Sequence, residues 1–133
     1  MSVPPSVSHV RVRYAETDQM GVVYYANYFV WFEVGRCELL RSLGWNYRDM
    51  ESTGFFLPVI AAACDYRQPA RYDDTLQIRT VGALLSPVRL EFRYRVVRPE
   101  DGVVSADGRT VHAALDANGR PRRLPERVRV FFS

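Results

Sequence analysis

The amino-acid sequence predicts an α+β domain in which a curved antiparallel sheet of about five strands packs against one long helix. Two observations support this class: a helical pattern over residues 25–43, and a series of β-rich segments separated by turn signals over the remainder of the chain. A sheet that curves around a single helix buries the apolar faces of both elements. With 133 residues the chain has the usual length of one domain, and we predict a single domain over residues 1–133.

The elements before the sheet follow in order along the chain. Residues 1–7 are expected to be flexible, and the alternation of valine and arginine over residues 10–13 predicts a short strand. Residues 14–21 are polar and end in glycine, which predicts a loop. In the helix that follows, Asn27 is the candidate cap and Gly44 the expected stop.

The rest of the chain predicts four or five antiparallel strands. A near-continuous apolar run within residues 55–66 predicts a central strand, and residues 88–96 alternate between apolar and charged side chains. Further strands are expected over residues 75–81, 109–116 and 128–132, the last of them at an edge. Turn residues separate these segments at 73–74, 99–102 and 118–119.

Two charged side chains interrupt the apolar face of the predicted helix. At about 100° per residue, Glu33 and Arg36 lie in the same sector as Phe29 and Leu40. An unpaired buried charge costs several kcal/mol, and residues at i and i+3 are within reach of each other. We therefore expect a buried ion pair that positions the helix. The alternative is that Glu33 is a second carboxylate near a functional site.

Composition and charge argue against several classes of protein. All 18 basic residues are arginines, the net charge is +3, and the positive charges are interleaved with 15 acidic residues. Arginine suits phosphate and carboxylate partners, although a GC-rich codon bias would produce the same composition. The dispersed charges do not form the stripe expected of a nucleic-acid-binding protein. No run of about 20 apolar residues predicts a membrane span.

The cysteines indicate a reducing compartment, and the positions of the histidines argue against a metal site. The start of the chain lacks a signal-peptide pattern, and Cys37 and Cys64 lie in apolar contexts, so we expect buried, reduced cysteines and a cytoplasmic protein. His9 and His112 have no partners at zinc-ligand spacing. The sequence also lacks a nucleophilic serine motif and a glycine-rich phosphate loop. Any catalysis would therefore rely on carboxylates, tyrosine hydroxyls and backbone donors.

The segment that begins at Asp18 is the candidate functional site. Asp18 lies in a loop, Gly21 permits close approach to the backbone, and a helix begins a few residues later. A helix N-terminus offers free N–H groups that polarise a carbonyl, and a nearby carboxylate can attack that carbonyl or activate water. From the residues alone, a turn or capping role is the commoner one for such an aspartate.

The same segment carries an extended pattern, Asp18-Gln-Met-Gly21-Val22-Val-Tyr24-Tyr25-Ala-Asn27-Tyr28. It resembles the signature of the hotdog-fold acyl-CoA thioesterases of the 4-hydroxybenzoyl-CoA thioesterase and YbgC type. The resemblance continues on the helix and before the next strand, through Phe32-Glu33-Val-Gly-Arg36 and Pro69-Ala-Arg71-Tyr-Asp73-Asp74. It spans nearly the whole chain.

This resemblance implies a hotdog fold and hydrolysis of an acyl-CoA thioester. Asp18 would be the nucleophile or general base, and the backbone N–H of Tyr25 would polarise the thioester carbonyl. The candidate substrate-binding residues are Gly21, Val22, Tyr24, Asn27, Tyr28 and Glu33, and the candidates for the CoA phosphates are Arg67, Arg71 and Arg89. Members of this family work as homodimers or dimer-based homotetramers with the acyl-CoA at the subunit interface. No metal or dissociable cofactor is expected, since CoA is part of the substrate.

Two other functions are open at the level of the sequence. A hotdog hydratase or dehydratase would pair its carboxylate with a nearby histidine, and none lies between His9 and His112. A non-catalytic acyl-CoA-binding module would keep the groove without needing Asp18. Proteins of the YbgC type often carry histidine where this chain has Tyr25, which bears on the substrate class. The sequence does not distinguish the acyl groups, nor CoA from acyl carrier protein.

Overall fold

The computed structural model describes residues 5–133 and places five strands and three α-helices in that part of the chain. In chain order they are β1 (Ser6–Arg11), α1 (Asn27–Ser42), α2 (Tyr47–Ser52), β2 (Val59–Tyr66), β3 (Thr75–Ser86), β4 (Arg89–Arg98), β5 (Val103–Ala113) and α3 (Glu126–Phe132), with a 3-10 turn at Tyr14–Glu16. The strands form one antiparallel sheet in the order β1-β3-β4-β5-β2. The predicted α+β class, with one long helix and a five-stranded antiparallel sheet, is confirmed.

Strand β4 divides its side chains between the two faces of the sheet as the alternation predicts. The residues that face the core are fully buried: Leu90, Phe92 and Val96. On the opposite face, Glu91 is only 8% exposed because Arg93 and Arg109 pair with it at 2.9 and 3.2 Å. The outer face is therefore covered by arginines that share carboxylate partners.

Helix α1 lies close against the inner face of the sheet because two glycines leave room for it. A Cβ atom on Gly108 of β5 would collide with the ring of Phe32, and one on Gly35 would collide with Oγ1 of Thr80 in β3. The Phe32 ring also stacks on Tyr94 of β4, with ring centroids 4.4 Å apart. These contacts fix the position of the helix over the sheet, and with it the loop that leads into the helix.

Strand β2 lies at an edge of the sheet, so the predicted central position is wrong. Within residues 5–133 it pairs with β5 alone. All its residues are exposed except the half-buried Cys64, with Val59 at 45% and Ile60 at 47%. The register with β5 shifts between Val59 and Ala61. The apolar run that suggests burial instead forms an apolar edge.

The segment predicted as a terminal edge strand, residues 128–132, is helix α3. Val128 and Phe132, four residues apart, are buried, whereas Val130 between them is 68% exposed. Phe132 reaches the sheet at Gly82, where any Cβ atom would collide with its ring. A short Val-Arg-Val alternation fits a strand and one side of a helix equally well, and packing against Gly82 decides in favour of the helix.

The expected buried ion pair between Glu33 and Arg36 is also wrong. Glu33 is exposed, one turn after the exposed Val30 on the side of α1 that faces away from the sheet, and no ion pair joins the two residues in the described part of the chain. Arg36 is half-buried. Burial acts against its charge, but the hydroxyls of Tyr94 and Tyr47 favour it, and the net effect raises the pKa of Arg36.

Several element boundaries differ from the predicted ones. Strand β3 continues beyond residue 81 to Ser86, and β5 begins earlier than predicted, at Val103. Of the predicted flexible start, residues 1–4 lie outside the described residues, and residues 6 and 7 already belong to β1. Helix α2 is absent from the predicted elements, although Asn46 caps it by accepting from the N–H of Asp49 at 3.0 Å. The predicted turns at Gly102 and Gly119 are confirmed, with φ of 73° and 77°.

Two further expectations are that the cysteines are buried and reduced and that no segment spans a membrane. Cys37 and Cys64 are free, and both are partly rather than fully buried. Among residues 5–133, no helix combines the length and apolar character needed to cross a membrane.

Candidate active site

The loop between β1 and α1 holds Asp18 through one of its two carboxylate oxygens. Oδ1 accepts from the N–H of Met20 at 2.8 Å and from the N–H of Val22 at 3.4 Å. The backbone closes the same turn, since the N–H of Gly21 donates to the Asp18 carbonyl at 3.0 Å. Gly21 adopts a φ of 78°, which a residue with a side chain rarely does. Oδ2 has no hydrogen-bond partner among the described residues, so one oxygen builds the turn and the other is free.

Glu16 connects this loop to α1, and it lies outside the motif that begins at Asp18. Glu16 is buried, with an exposed fraction of 6%. Oε1 accepts from the N–H of Arg13 at 2.8 Å and Oε2 from the indole Nε1 of Trp31 at 3.2 Å. A sequence signal for it exists, because a glutamate three residues after the start of a helical turn can complete a capping box, and Glu16 does so with Arg13.

Asn27 fastens the loop to the helix and does not cap the helix, so the predicted cap is wrong. The N-cap position belongs to Ala26, which has no capping side chain. The Nδ2 group of Asn27 donates to the carbonyl of Glu16 at 2.9 Å, and the same carbonyl accepts from the N–H of Tyr24 at 2.8 Å. The side chain that could cap the helix is thereby used to position the segment before it.

The turn that enters α1 leaves the N–H of Tyr25 free. The carbonyl of Tyr24 accepts from the N–H of Asn27 at 2.9 Å, whereas the N–H of Tyr25 donates to no acceptor among the described residues. Tyr25 directly precedes the N-cap residue Ala26, so its N–H lies close to the positive end of the helix dipole. Such a group can stabilise a carbonyl oxygen that gains negative charge during a reaction.

Asp18 and Tyr25 line the same open cavity, whose volume is about 310 Å³. Tyr28 of α1, Tyr66 at the end of β2 and Arg67 complete much of its wall. Three separate segments therefore meet at the cavity: the loop before α1, the start of α1, and the end of β2 with the residues that follow it. The N–H of Val23 donates to the carbonyl of Ala70 at 2.8 Å and so fastens the first segment to the third.

Three tyrosines form an aromatic wall. The ring of Tyr66 meets the rings of Tyr28 and Tyr25 edge to face, with centroids 5.2 and 6.3 Å away. The hydroxyl of Tyr66 donates to the backbone carbonyl of Tyr25 at 2.9 Å. Burial raises the pKa of Tyr28. Although Tyr66 is 46% exposed, partial desolvation of its hydroxyl and the thiol of Cys64 raise the pKa of Tyr66 as well. Both hydroxyls are therefore neutral donors near pH 7, in a wall suited to an apolar or aromatic group.

The structure brings only part of the predicted substrate-binding set to this cavity. Predicted residues in its wall, besides Asp18 and Tyr25, are Val22, Tyr28 and Arg67. Predicted residues outside its wall are Gly21, Tyr24, Asn27, Glu33, Arg71 and Arg89. Tyr24 packs against Tyr25 with ring centroids 4.7 Å apart.

The three predicted phosphate-binding arginines lie in different places. Arg67 lines the cavity and pairs with Asp107 at 2.6 Å. Arg71 contacts the loop through a backbone bridge to Val22, and the residue is exposed. Arg89 begins β4, whereas Tyr66 in the cavity wall is level with Val96 near the other end of that strand, about seven residues or ~23 Å away. Within this chain, Arg89 therefore does not reach the cavity.

The buried histidine belongs to the core and not to the cavity. His112 is fully buried. Its Nε2 and Nδ1 lie 2.9 Å from Thr110 Oγ1 and 3.0 Å from the Leu57 carbonyl. Burial lowers the pKa of His112 to about 4, and its uncharged ring packs on Phe92. His112 therefore has a packing role in the core.

Comparison with known proteins identifies the class of protein to which this fold and cavity belong. The model of the thioesterase-like superfamily matches residues 12–132. The chain therefore belongs to the thioesterase-like superfamily, and its fold is the hotdog fold. The resemblance seen in the sequence is confirmed.

Similar proteins span almost the whole chain. YneP of Bacillus subtilis (strain 168) is 39% identical over 111 residues, which cover 84% of this chain and 80% of YneP. The acyl-CoA thioesterase YbgC of Haemophilus influenzae is 32% identical over 126 residues, covering 92% of this chain and 90% of YbgC. The crystal structure of a DHNA-CoA thioesterase from Staphylococcus aureus superposes with a TM-score of 0.85 at 33% identity, covering 90% of this chain and 80% of that one.

Proposed function

We propose that this protein is an acyl-CoA thioesterase that hydrolyses its substrate to a carboxylic acid and free CoA. Membership of the thioesterase-like superfamily and the similarity to the acyl-CoA thioesterase YbgC support the reaction class. The observation that carries the proposal is the pairing, in one cavity, of Asp18 with a free oxygen and Tyr25 with a free backbone N–H. A carboxylate and an oxyanion donor are the two groups that thioester hydrolysis requires.

In the proposed mechanism the Tyr25 N–H donates to the thioester carbonyl oxygen. Asp18 Oδ2 then either attacks the carbonyl carbon or takes a proton from a water molecule that attacks it. The C–O bond forms, negative charge collects on the oxygen near Tyr25, and the C–S bond breaks as the CoA thiolate leaves and takes up a proton. If Asp18 attacks first, water hydrolyses the resulting anhydride in a second step. Neither route needs a metal or a dissociable cofactor.

Arg67 is the proposed contact for the phosphates of CoA. Arg67 lines both this cavity and a second groove, whose wall includes Arg79, Arg93 and Arg95. Asp107 is its partner in the free protein, and Arg95 binds the same carboxylate at 2.7 Å. Burial acts to raise the pKa of Asp107, but the guanidinium groups of Arg95 and Arg67 lower it by more, and the net shift is downward. The carboxylate is therefore charged and holds both guanidinium groups.

We propose a homodimer that forms along the edge strand β2. An exposed strand edge with apolar side chains such as Val59 and Ile60 is a liability unless another chain covers it. Antiparallel pairing of β2 with a second copy would continue the sheet and bring the far end of the partner's β2 toward the cavity. We further propose a cytoplasmic location, since both cysteines are free.

The test is the release of free thiol from short-chain, long-chain and aromatic acyl-CoA substrates. Asp18→Asn is the informative variant because asparagine keeps the Oδ1 that builds the turn and replaces only the free oxygen. We expect kcat to fall by at least about 100-fold in a well-folded variant. Asp73→Asn is the matched control, since Asp73 is exposed and its φ of 68° is one that asparagine also adopts.

Each outcome has a defined meaning. Activity that persists in Asp18→Asn would refute the assigned site but not the reaction. Wild-type protein that is inactive on every thioester, with CoA and with acyl carrier protein, would refute the enzyme and favour a binding module. Analytical ultracentrifugation of the same samples tests the dimer, and a monomer at assay concentration would refute it.

A further inference from the structure

The hydroxyl of Tyr66 reaches from the sheet edge to the turn that carries the proposed oxyanion donor. It donates to the backbone carbonyl of Tyr25 at 2.9 Å, across 41 residues of sequence. Among the described residues, the same carbonyl accepts one further bond, a long one of 3.4 Å from the N–H of Tyr28 in the first turn of α1. The Tyr66 hydroxyl therefore makes the shorter of the two bonds that hold this carbonyl.

We propose that Tyr66 is a positioning residue for thioester hydrolysis: its hydroxyl fixes the turn at Tyr25 so that the N–H of Tyr25 meets the carbonyl oxygen of the substrate. This inference rests on the proposed thioesterase function and adds to it a residue that the sequence motif does not contain. Tyr66 is suited to this role because its backbone is fixed in β2, opposite Ala106 of β5.

The geometry of the peptide group explains how a bond to one carbonyl controls a neighbouring N–H. Peptide groups are planar, so the N–H of Tyr25 points opposite to the carbonyl of Tyr24. That carbonyl is held by the N–H of Asn27 at 2.9 Å. The next peptide group, between Tyr25 and Ala26, is held by Tyr66. With both flanking peptide groups fixed, the backbone at Tyr25 has little freedom, and its N–H keeps one direction.

The ring of Tyr66 has a second role that separates cleanly from the hydroxyl. It lines the cavity and contacts the rings of Tyr25 and Tyr28 edge to face. Tyr66→Phe keeps these contacts and removes only the donor. A loss of activity in this variant would therefore report the hydrogen bond and not the shape of the cavity.

The hydrogen bond can be observed without any turnover. Labelling tyrosine carbonyls with ¹³C and alanine amides with ¹⁵N gives HNCO signals from Tyr–Ala pairs alone, and the chain contains two, Tyr14–Ala15 and Tyr25–Ala26. In Tyr66→Phe we expect the Tyr25–Ala26 signal to shift, because the carbonyl loses a donor, while the Tyr14–Ala15 signal stays in place. Tyr72→Phe is the control variant, since Tyr72 is 57% exposed and packs on Tyr14 outside the cavity.

Steady-state kinetics with the best acyl-CoA then link the bond to catalysis. We expect kcat of Tyr66→Phe to fall at least about tenfold while KM changes by less than about twofold, because a misdirected donor weakens binding of the transition state more than that of the substrate. Tyr72→Phe should match wild type in both constants.

Three results would overturn the proposal. An unmoved Tyr25–Ala26 signal would show that the hydroxyl of Tyr66 does not hold this carbonyl. A shifted signal with unchanged kcat would show that the bond has no part in catalysis. Wild-type protein without activity on any thioester would overturn the proposed function itself, and with it the role of Tyr66.

Discussion

The buried carboxylate of Glu16 provides a quantitative test of how the loop before α1 is held. We expect Glu16→Gln to lower the free energy of unfolding and to displace the loop that carries Asp18. Each carboxylate oxygen of Glu16 accepts one bond, from Arg13 N–H at 2.8 Å and from Trp31 Nε1 at 3.2 Å. A glutamine side chain has one acceptor oxygen and one NH₂ group, so one of the two donors would face another donor.

The magnitude follows from burial at this position. Glu16 is 6% exposed and Trp31 is 2% exposed, so water cannot replace the lost acceptor. A hydrogen bond to a charged group contributes about 1.5–3 kcal/mol, and a buried donor left without a partner costs about 1–3 kcal/mol. These two effects overlap, since both describe the same lost contact, and we expect a total of about 2–4 kcal/mol.

Urea unfolding followed by tryptophan fluorescence measures this loss. Glu38→Gln is the matched control, because Glu38 is exposed on α1 and, within residues 5–133, pairs with Arg41 alone; we expect a change within about 0.5 kcal/mol. Thiol release below the unfolding range should also show a lower kcat for Glu16→Gln, since the loop moves Asp18. A stability loss no larger than that of the control would refute this account of the loop.

Two further predictions concern the core. Gly108→Ala should lower the free energy of unfolding by about 1–3 kcal/mol, because the new methyl group collides with the ring of Phe32; an unchanged urea midpoint would contradict the close approach of α1. Burial lowers the pKa of His112 from 6.5 to about 4. Between these two pH values the unfolded chain binds more protons than the folded one. The free energy of unfolding therefore has its full His112 contribution above about pH 6.5 and falls by about 3 kcal/mol as the pH is lowered toward 4. Urea unfolding between pH 4.5 and 7.5 should show a smaller pH dependence in His112→Asn than in wild type, and parallel profiles would contradict the assignment.

The fold could be predicted from the sequence wherever a periodic pattern is long. Residues 88–96 alternate over nine positions, and β4 covers residues 89–96 of them with the expected buried face. The pattern misleads where it is short, since Val128 and Phe132 are spaced for a helix and residues 128–130 alternate as in a strand. It also misleads at β2, because an apolar run does not reveal whether its neighbour is the same chain or a second copy.

The candidate site could be predicted only as far as its motif extends. Asp18 and Tyr25, which both belong to the motif, line one cavity. Glu16 and Tyr66 lie outside the motif, and their roles depend on contacts 15 and 41 residues away in sequence. The predicted burial of Glu33 is wrong for a different reason. A helical wheel gives the angle between side chains but does not show how wide a face of the helix the sheet covers.

The position of β2 links the stability of the site to its assembly. In the part of the chain that the structure describes, this strand has a hydrogen-bonded neighbour on one side only, and its exposed side chains contribute little to hold it. Segments with few buried contacts open at lower free energy than the core. Local opening of β2 would withdraw Tyr66 from the cavity while β3 and β4 stay folded, so activity would disappear at denaturant concentrations that leave the core intact. Association along this edge would oppose the opening by mass action, and the activity of each subunit would then rise with protein concentration.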